Sequence, residues 1–133
     1  MSSDLPPPES EVISKLSPAS VTDTVNQLIG LVEGHGMKVF VVIDHSGEAE
    51  QVDLALRNTK VVIFGSPTAG TPVMQAAPLS ALDLPLKVLV WDDDGQTTVS
   101  YLDPEALARR HHLSADLASR LAGIGPLTDT LTT

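Results

Sequence analysis

The stretch LKVLVWDDDGQTTVSYL, residues 86–102, decides the fold. Residues 86–91 form an apolar run rich in Val and Leu, which predicts a buried strand. Asp94-Gly95 is a tight-turn pair, because both central positions of the favoured hairpin turn need a positive φ. Residues 97–102 then return as a second strand. Two strands joined this closely must run antiparallel, since a parallel pair needs a crossover of a dozen or more residues. A pure doubly wound parallel sheet is thereby disfavoured.

Outward from the hairpin, helical and extended signals alternate. Towards the N-terminus, residues 60–64 (KVVIF) read as a second buried strand and residues 37–44 (MKVFVVID) as a third, apolar on both faces and hence expected in the sheet centre. Ser20-Val-Thr-Asp23 places a hydroxyl cap three residues before an acid. Val21, Val25, Leu28, Ile29 and Val32 follow at helical spacing, with Gly34 and Gly36 to stop them. Residues 11–16 are a weaker strand, and Ser46 is expected to cap a short helix reaching residue 55. Thr71-Pro72 reads as an N-cap followed by proline at the first helical position, leaving residues 65–71 as a loop. Asp103-Pro104 repeats that signal, and Ser114 caps a last helix with Leu117 and Leu121 inward. The expectation is an α+β fold, helices packed on a mixed or antiparallel sheet, in a single compact domain over residues 11–122. Residues 1–10, with three consecutive prolines, are expected to be a disordered lead-in, and residues 123–133 a Thr-rich C-terminal tail.

Composition narrows the function classes. The 133 residues carry 8 Lys and Arg against 17 Asp and Glu, a net charge of -9. A phosphate backbone is repelled by such a surface, and 3% aromatic residues leave almost nothing to stack bases on. No nucleic acid is expected as a partner. Without cysteine, the chain has no disulfide, thiolate metal site or Cys nucleophile. No stretch approaches the ~20 apolar residues of a membrane span and no signal peptide is visible, so no membrane and a cytoplasmic location are expected.

The strings Ile43-Asp44-His45, then Phe64-Gly65-Ser66-Pro67-Thr68-Ala69-Gly70-Thr71-Pro72-Val73-Met74, and Ala81-Leu82-Asp83-Leu84-Pro85-Leu86-Lys87 closely resemble a bacterial and archaeal family. It is the one catalogued as domain of unknown function 302, and the resemblance runs from about residue 11 to 121. It implies a compact α+β domain with an antiparallel-type sheet, associating as a homodimer, and no established activity. Asn58 stands where the family pattern has proline, and Ser66 where it has asparagine.

Residues 65–71 make the strongest candidate site. They join a buried strand to a helix N-terminus, whose free N–H groups and dipole favour an anion. Gly65 and Gly70 permit close backbone approach, and Ser66, Thr68 and Thr71 add hydroxyl donors. It is no P-loop, since no Gly-Lys-Ser/Thr follows. His45 and Arg57 are the further candidates for the same pocket. Each has a plainer reading: the loop as a capped connection, His45 in an ordinary hydrogen bond, and Arg57 paired with Asp44 or Asp83. Asp44-His45-x-x-Glu48 offers too few ligands for a metal site by itself, Asp92-Asp93-Asp94 lacks calcium-loop spacing, and no metal is assigned. His111-His112 would suit a helix C-terminus. Trp91 and Tyr101 are expected on paired hairpin strands, in a cross-strand or dimer contact. No nucleophile elbow or dinucleotide fingerprint appears, so no cofactor is identified. The leading expectation is a non-catalytic, homodimeric domain binding a small anionic or polar ligand. The alternatives are a small hydrolase or isomerase using His45 as base with an oxyanion site at residues 65–71, and a purely structural or regulatory dimer.

Overall fold

The computed structural model of the chain describes residues 11–132. In order, it contains β1 (Val12–Leu16), α1 (Val21–Gly34), β2 (Lys38–Asp44), α2 (His45–Gln51), β3 (Thr59–Gly65), α3 (Pro67–Ala76), a 3-10 turn (Pro78–Leu82), β4 (Leu86–Asp93), β5 (Gln96–Leu102), α4 (Pro104–Arg110), α5 (Ala115–Ser119) and α6 (Ile124–Asp129), closed by a 3-10 turn (Thr130–Thr132). The strands form one sheet in the order β1-β5-β4-β3-β2, and every neighbouring pair is antiparallel. The hairpin turns where the sequence places it. Asp94 (φ 53°) and Gly95 (φ 90°) both lie in the left-handed region that this turn requires.

Side-chain alternation assigns the two sheet faces. On one, Val62, Phe64, Val88, Val90, Val99 and Tyr101 are buried against the inner face of α1, formed by Val21, Val25, Leu28 and Val32. Ser20 caps α1 by accepting from the Asp23 N–H at 3.1 Å, as its spacing predicts. Full burial of Leu28 alone stabilises the packing by about 1.5–3 kcal/mol. A smaller cluster of Val73, Leu107 and Leu121 joins α3, α4 and the segment that follows α5. The other face carries Val12, Leu16, Val41, Ile43, Val61, Ile63, Leu89, Trp91 and Leu102, none of which belongs to either buried cluster.

Three expectations are corrected. β2 is an edge strand, not a central one, and Phe40 and Val41 are 43% and 44% exposed. Its continuous apolar run reflects one side turned to the core and the other to the uncovered face, which a central position is not needed to explain. α2 is capped by Asp44 instead of Ser46 and stops at Gln51, because Asp53 takes a positive φ of 60° that an α-helix cannot continue through. The segment expected to be a tail is folded over its described residues, 123–132. Ile124, Leu127 and Leu131 are within the main core, at 2%, 4% and 1% exposure. The Lys15 ammonium ties them to β1, donating to the Gly125 carbonyl (2.9 Å) and the Thr128 hydroxyl (2.8 Å) and pairing with Asp129 (2.7 Å). The expected lead-in, residues 1–10, lies outside the described residues.

Candidate functional site

The end of β3 and the start of α3 are built by two competing proline signals. Ser66-Pro67 and Thr71-Pro72 both read as cap followed by first helical residue, and the earlier one wins. The Ser66 hydroxyl accepts from the Ala69 N–H at 3.3 Å, and its carbonyl accepts from the N–H groups of Ala69 and Gly70 at 3.0 and 2.8 Å. Pro72 then falls inside the helix, where its missing N–H forfeits one intrahelical bond. The expected loop is therefore the first turn and a half of α3. Thr68 and Thr71 are exposed on it, and Thr71 caps nothing. The helix start has little to offer an anion, because Pro67 has no N–H and Ser66 already occupies that of Ala69.

Gly65, Ser66 and Gly70 do line a cavity of ≈ 140 Å³. Its walls come from the start of β2 (Met37, Phe40), from α3 (Pro67, Met74), from the segment leading into β4 (Leu84, Pro85, Leu86) and from Leu121. They are predominantly apolar, against the expectation of a polar pocket. A Cβ at Gly70 would meet no atom within 4 Å, so the glycine leaves space open along that wall. Among the described residues Arg120 is the one charged residue lining the cavity. Its ion pair with Asp116 is long, 3.7 Å, and mostly in solvent, so it holds the guanidinium weakly.

His45 and Arg57 are not at this cavity. The β2–β3 register sets Lys38 against Gly65 and Asp44 against Lys60. His45 follows Asp44, so it sits at the opposite end of β3, about 17 Å away for five residue steps. It is exposed on the first turn of α2. Arg57 lies in the exposed connection to β3 at the same far end and pairs with no carboxylate among the described residues. Asp44 instead caps α2, accepting from the Ser46 hydroxyl (2.6 Å) and the Gly47 N–H (3.0 Å). Those two bonds hold its carboxyl below the usual range. A base at His45 acting with an oxyanion site at α3 has no geometry here. Among the described residues no group of three or more His, Asp or Glu side chains could hold a metal ion.

The sequence reading missed a polar cluster around Asp83. Its carboxylate accepts from Arg110 Nη1 at 3.1 Å to each oxygen and meets His111 Nε2 at 2.6 Å, while Arg110 Nη2 reaches Glu11 at 3.0 Å. Partial burial works to raise the Asp83 pKa, but the hydrogen bonds from His111 and Arg110 and the Arg110 charge outweigh it and hold it below the usual value. Of this cluster the sequence reading singled out only His111, placed with His112 at a helix C-terminus; its acid is 28 residues away in sequence. Nearby, the β4–β5 ladder stops at Leu89↔Ser100. Beyond it lies a second hollow, of ≈ 300 Å³, lined by Val12, Val61, Leu89, Leu102 and Leu107, with Asp83 among its walls.

Comparison with known proteins places these features in context. The model of the family described as "Domain of unknown function DUF302" matches residues 13–125. Two curated relatives, from Brucella suis and Brucella abortus, each named "Fluoride-specific ion channel FluC 1", are 35% identical over 125 residues. The match covers 90% of this chain but 49% and 46% of those proteins, so the chain spans about half the length of the relatives it matches. The crystal structure of an uncharacterized conserved DUF302 protein from Bacillus stearothermophilus superposes with a TM-score of 0.78 at 17% identity, covering 91% of this chain and 95% of that one. At that identity the likeness concerns the fold alone. No helix among the described residues is long and apolar enough to cross a membrane.

Proposed function

The chain belongs to the DUF302 family, and from that premise we propose that it is a non-catalytic, cytoplasmic binding domain, acting as a homodimer, whose cavity beside α3 takes a small apolar ligand bearing one anionic group. The observation that carries this reading is the cavity itself. At ≈ 140 Å³ it is close to the ~150 Å³ engineered cavity in another protein that holds benzene. Its apolar walls supply burial, and Arg120 at its edge supplies one charge for orientation, the usual composition of a small-molecule site. The Brucella relatives support a role as an accessory module, because the segment matched is only about half of each protein that carries the channel name.

Benzoate is the probe of the right size and charge. In a titration followed by the methyl resonances of Met37 and Met74, benzoate is expected to shift both. Benzyl alcohol, which lacks the charge, binds more weakly. Replacing Arg120 by Gln lowers benzoate affinity roughly tenfold, the worth of a charge-assisted hydrogen bond, and leaves benzyl alcohol unaffected. Fluoride alone, in the same titration, separates recognition of a bare anion from recognition of an apolar body. Methyl signals that ignore benzoate and benzyl alcohol at millimolar concentration sink the cavity reading.

A further inference from the structure

We propose that two copies of this chain associate through the uncovered sheet face, about a two-fold axis that lies between the sheets and runs perpendicular to the strands. This rests on the homodimer reading above and names its surface. Size is the first argument. Five strands about 4.8 Å apart and roughly 20 Å long give each copy a face of about 24 by 20 Å, so a pair covers on the order of 1,000 Å² before side-chain relief is added, the threshold for a specific interface. Among the residues on it, Val12, Leu16, Val41 and Leu102 are 40%, 59%, 44% and 37% exposed, apolar side chains that a second copy would cover.

Charge is the second argument, and it selects the axis. The chain carries 17 acidic residues, yet the middle of this face has none. Along β4 the residues turned to it are Lys87, Leu89, Trp91 and Asp93, a base at one end and an acid at the other. Lys87 donates only to the carbonyls of Asp83 and Pro85, at 3.3 and 3.4 Å, and neither it nor Asp93 forms an ion pair among the described residues. The proposed axis lays β4 antiparallel over its own copy. Lys87 then faces the partner's Asp93, and Leu89 faces the partner's Trp91, each contact occurring twice as an isologous interface requires. An axis parallel to the strands would set Lys87 against the partner's Lys87. The resulting assembly is a ten-stranded sandwich, the standard solution for a sheet with one uncovered apolar face.

Sedimentation velocity of the full chain over a dilution series, with fluorescence read in parallel, tests this. A species of twice the 14.0 kDa chain mass is expected, and its dissociation should red-shift Trp91, the chain's single tryptophan. Lys87→Asp and Asp93→Lys should each weaken the dimer roughly tenfold to a hundredfold, and the double variant should restore it to within about threefold. A monomer at every concentration overturns the homodimer reading and this face together. A dimer that dissociates with no change in Trp91 emission keeps the homodimer reading and overturns the face. A Trp91 shift accompanied by indifference to both charge reversals overturns the axis.

Discussion

Leu131 stands two residues from the C-terminus, in a stretch whose Thr-rich composition reads as a tail, yet it is 1% exposed within the main core. Replacing it by Ala removes buried methyl groups from a site closed by α1, the sheet and α6. Such a truncation costs the lost transfer energy and the cavity left behind, about 3 kcal/mol. For a domain of this size that corresponds to a fall in Tm of about 10 °C. Leu82→Ala is the matched control: the same chemical change at a side chain 79% exposed, expected to cost less than about 0.5 kcal/mol. Urea unfolding followed by circular dichroism reads both, and the Leu131 variant should lower the midpoint with little change in slope. Equal, small losses in the two variants would refute the docking of the C-terminal segment. The Lys15 bonds to Gly125, Thr128 and Asp129 would then have no structural role to play.

Asp83→Asn should destabilise the domain at pH 7 by about 1–2 kcal/mol, by removing the carboxylate that Arg110 and His111 share. The Asp83 pKa is depressed below 3.8 in the folded state, so its contribution is present above the unfolded value and fades as pH falls through the folded one. The gap between wild type and variant, measured by urea unfolding, should therefore shrink towards pH 3; a constant gap would count against the carboxylate's charge as the cause. Gly70→Ala should raise stability by about 0.5–1 kcal/mol, because alanine restricts the unfolded chain within α3 and its Cβ meets nothing within 4 Å. The same methyl narrows the cavity, so thermal melts and benzoate titration should move in opposite directions. Gains in both would separate Gly70 from the ligand site.

Much of the architecture was legible because it is local. The Asp94-Gly95 turn made the antiparallel hairpin unavoidable, and the Ser20 cap with Val21, Val25, Leu28 and Val32 marked α1 with its buried face. Elsewhere the local signals conflicted. Ser66-Pro67 and Thr71-Pro72 satisfy the same rule five residues apart, and nothing short-range chooses between them; in the folded chain the helix starts at the first. The candidate site suffered most from this. Gly65, Ser66 and Gly70 do line a cavity, but Thr68 and Thr71 point to solvent, and His45 and Arg57 were grouped with it across a distance no spacing rule measures.

The sequence by itself determined the class of fold, the order of strands and helices as far as α5, and the exclusion of thiolate chemistry, since each follows from residue composition or from patterns a few residues long. Only the tertiary structure decided which faces those elements cover. Register alone sends His45 and Gly65 to opposite ends of β3, strand order alone makes β2 an edge, and the packing of α1 and the C-terminal segment on one face leaves the other outside the buried core. Asp83 meets Arg110 and His111, and Leu131 reaches the core, through contacts between segments far apart in the chain. Such contacts depend on how the whole chain closes on itself, and no stretch of sequence carries that information locally.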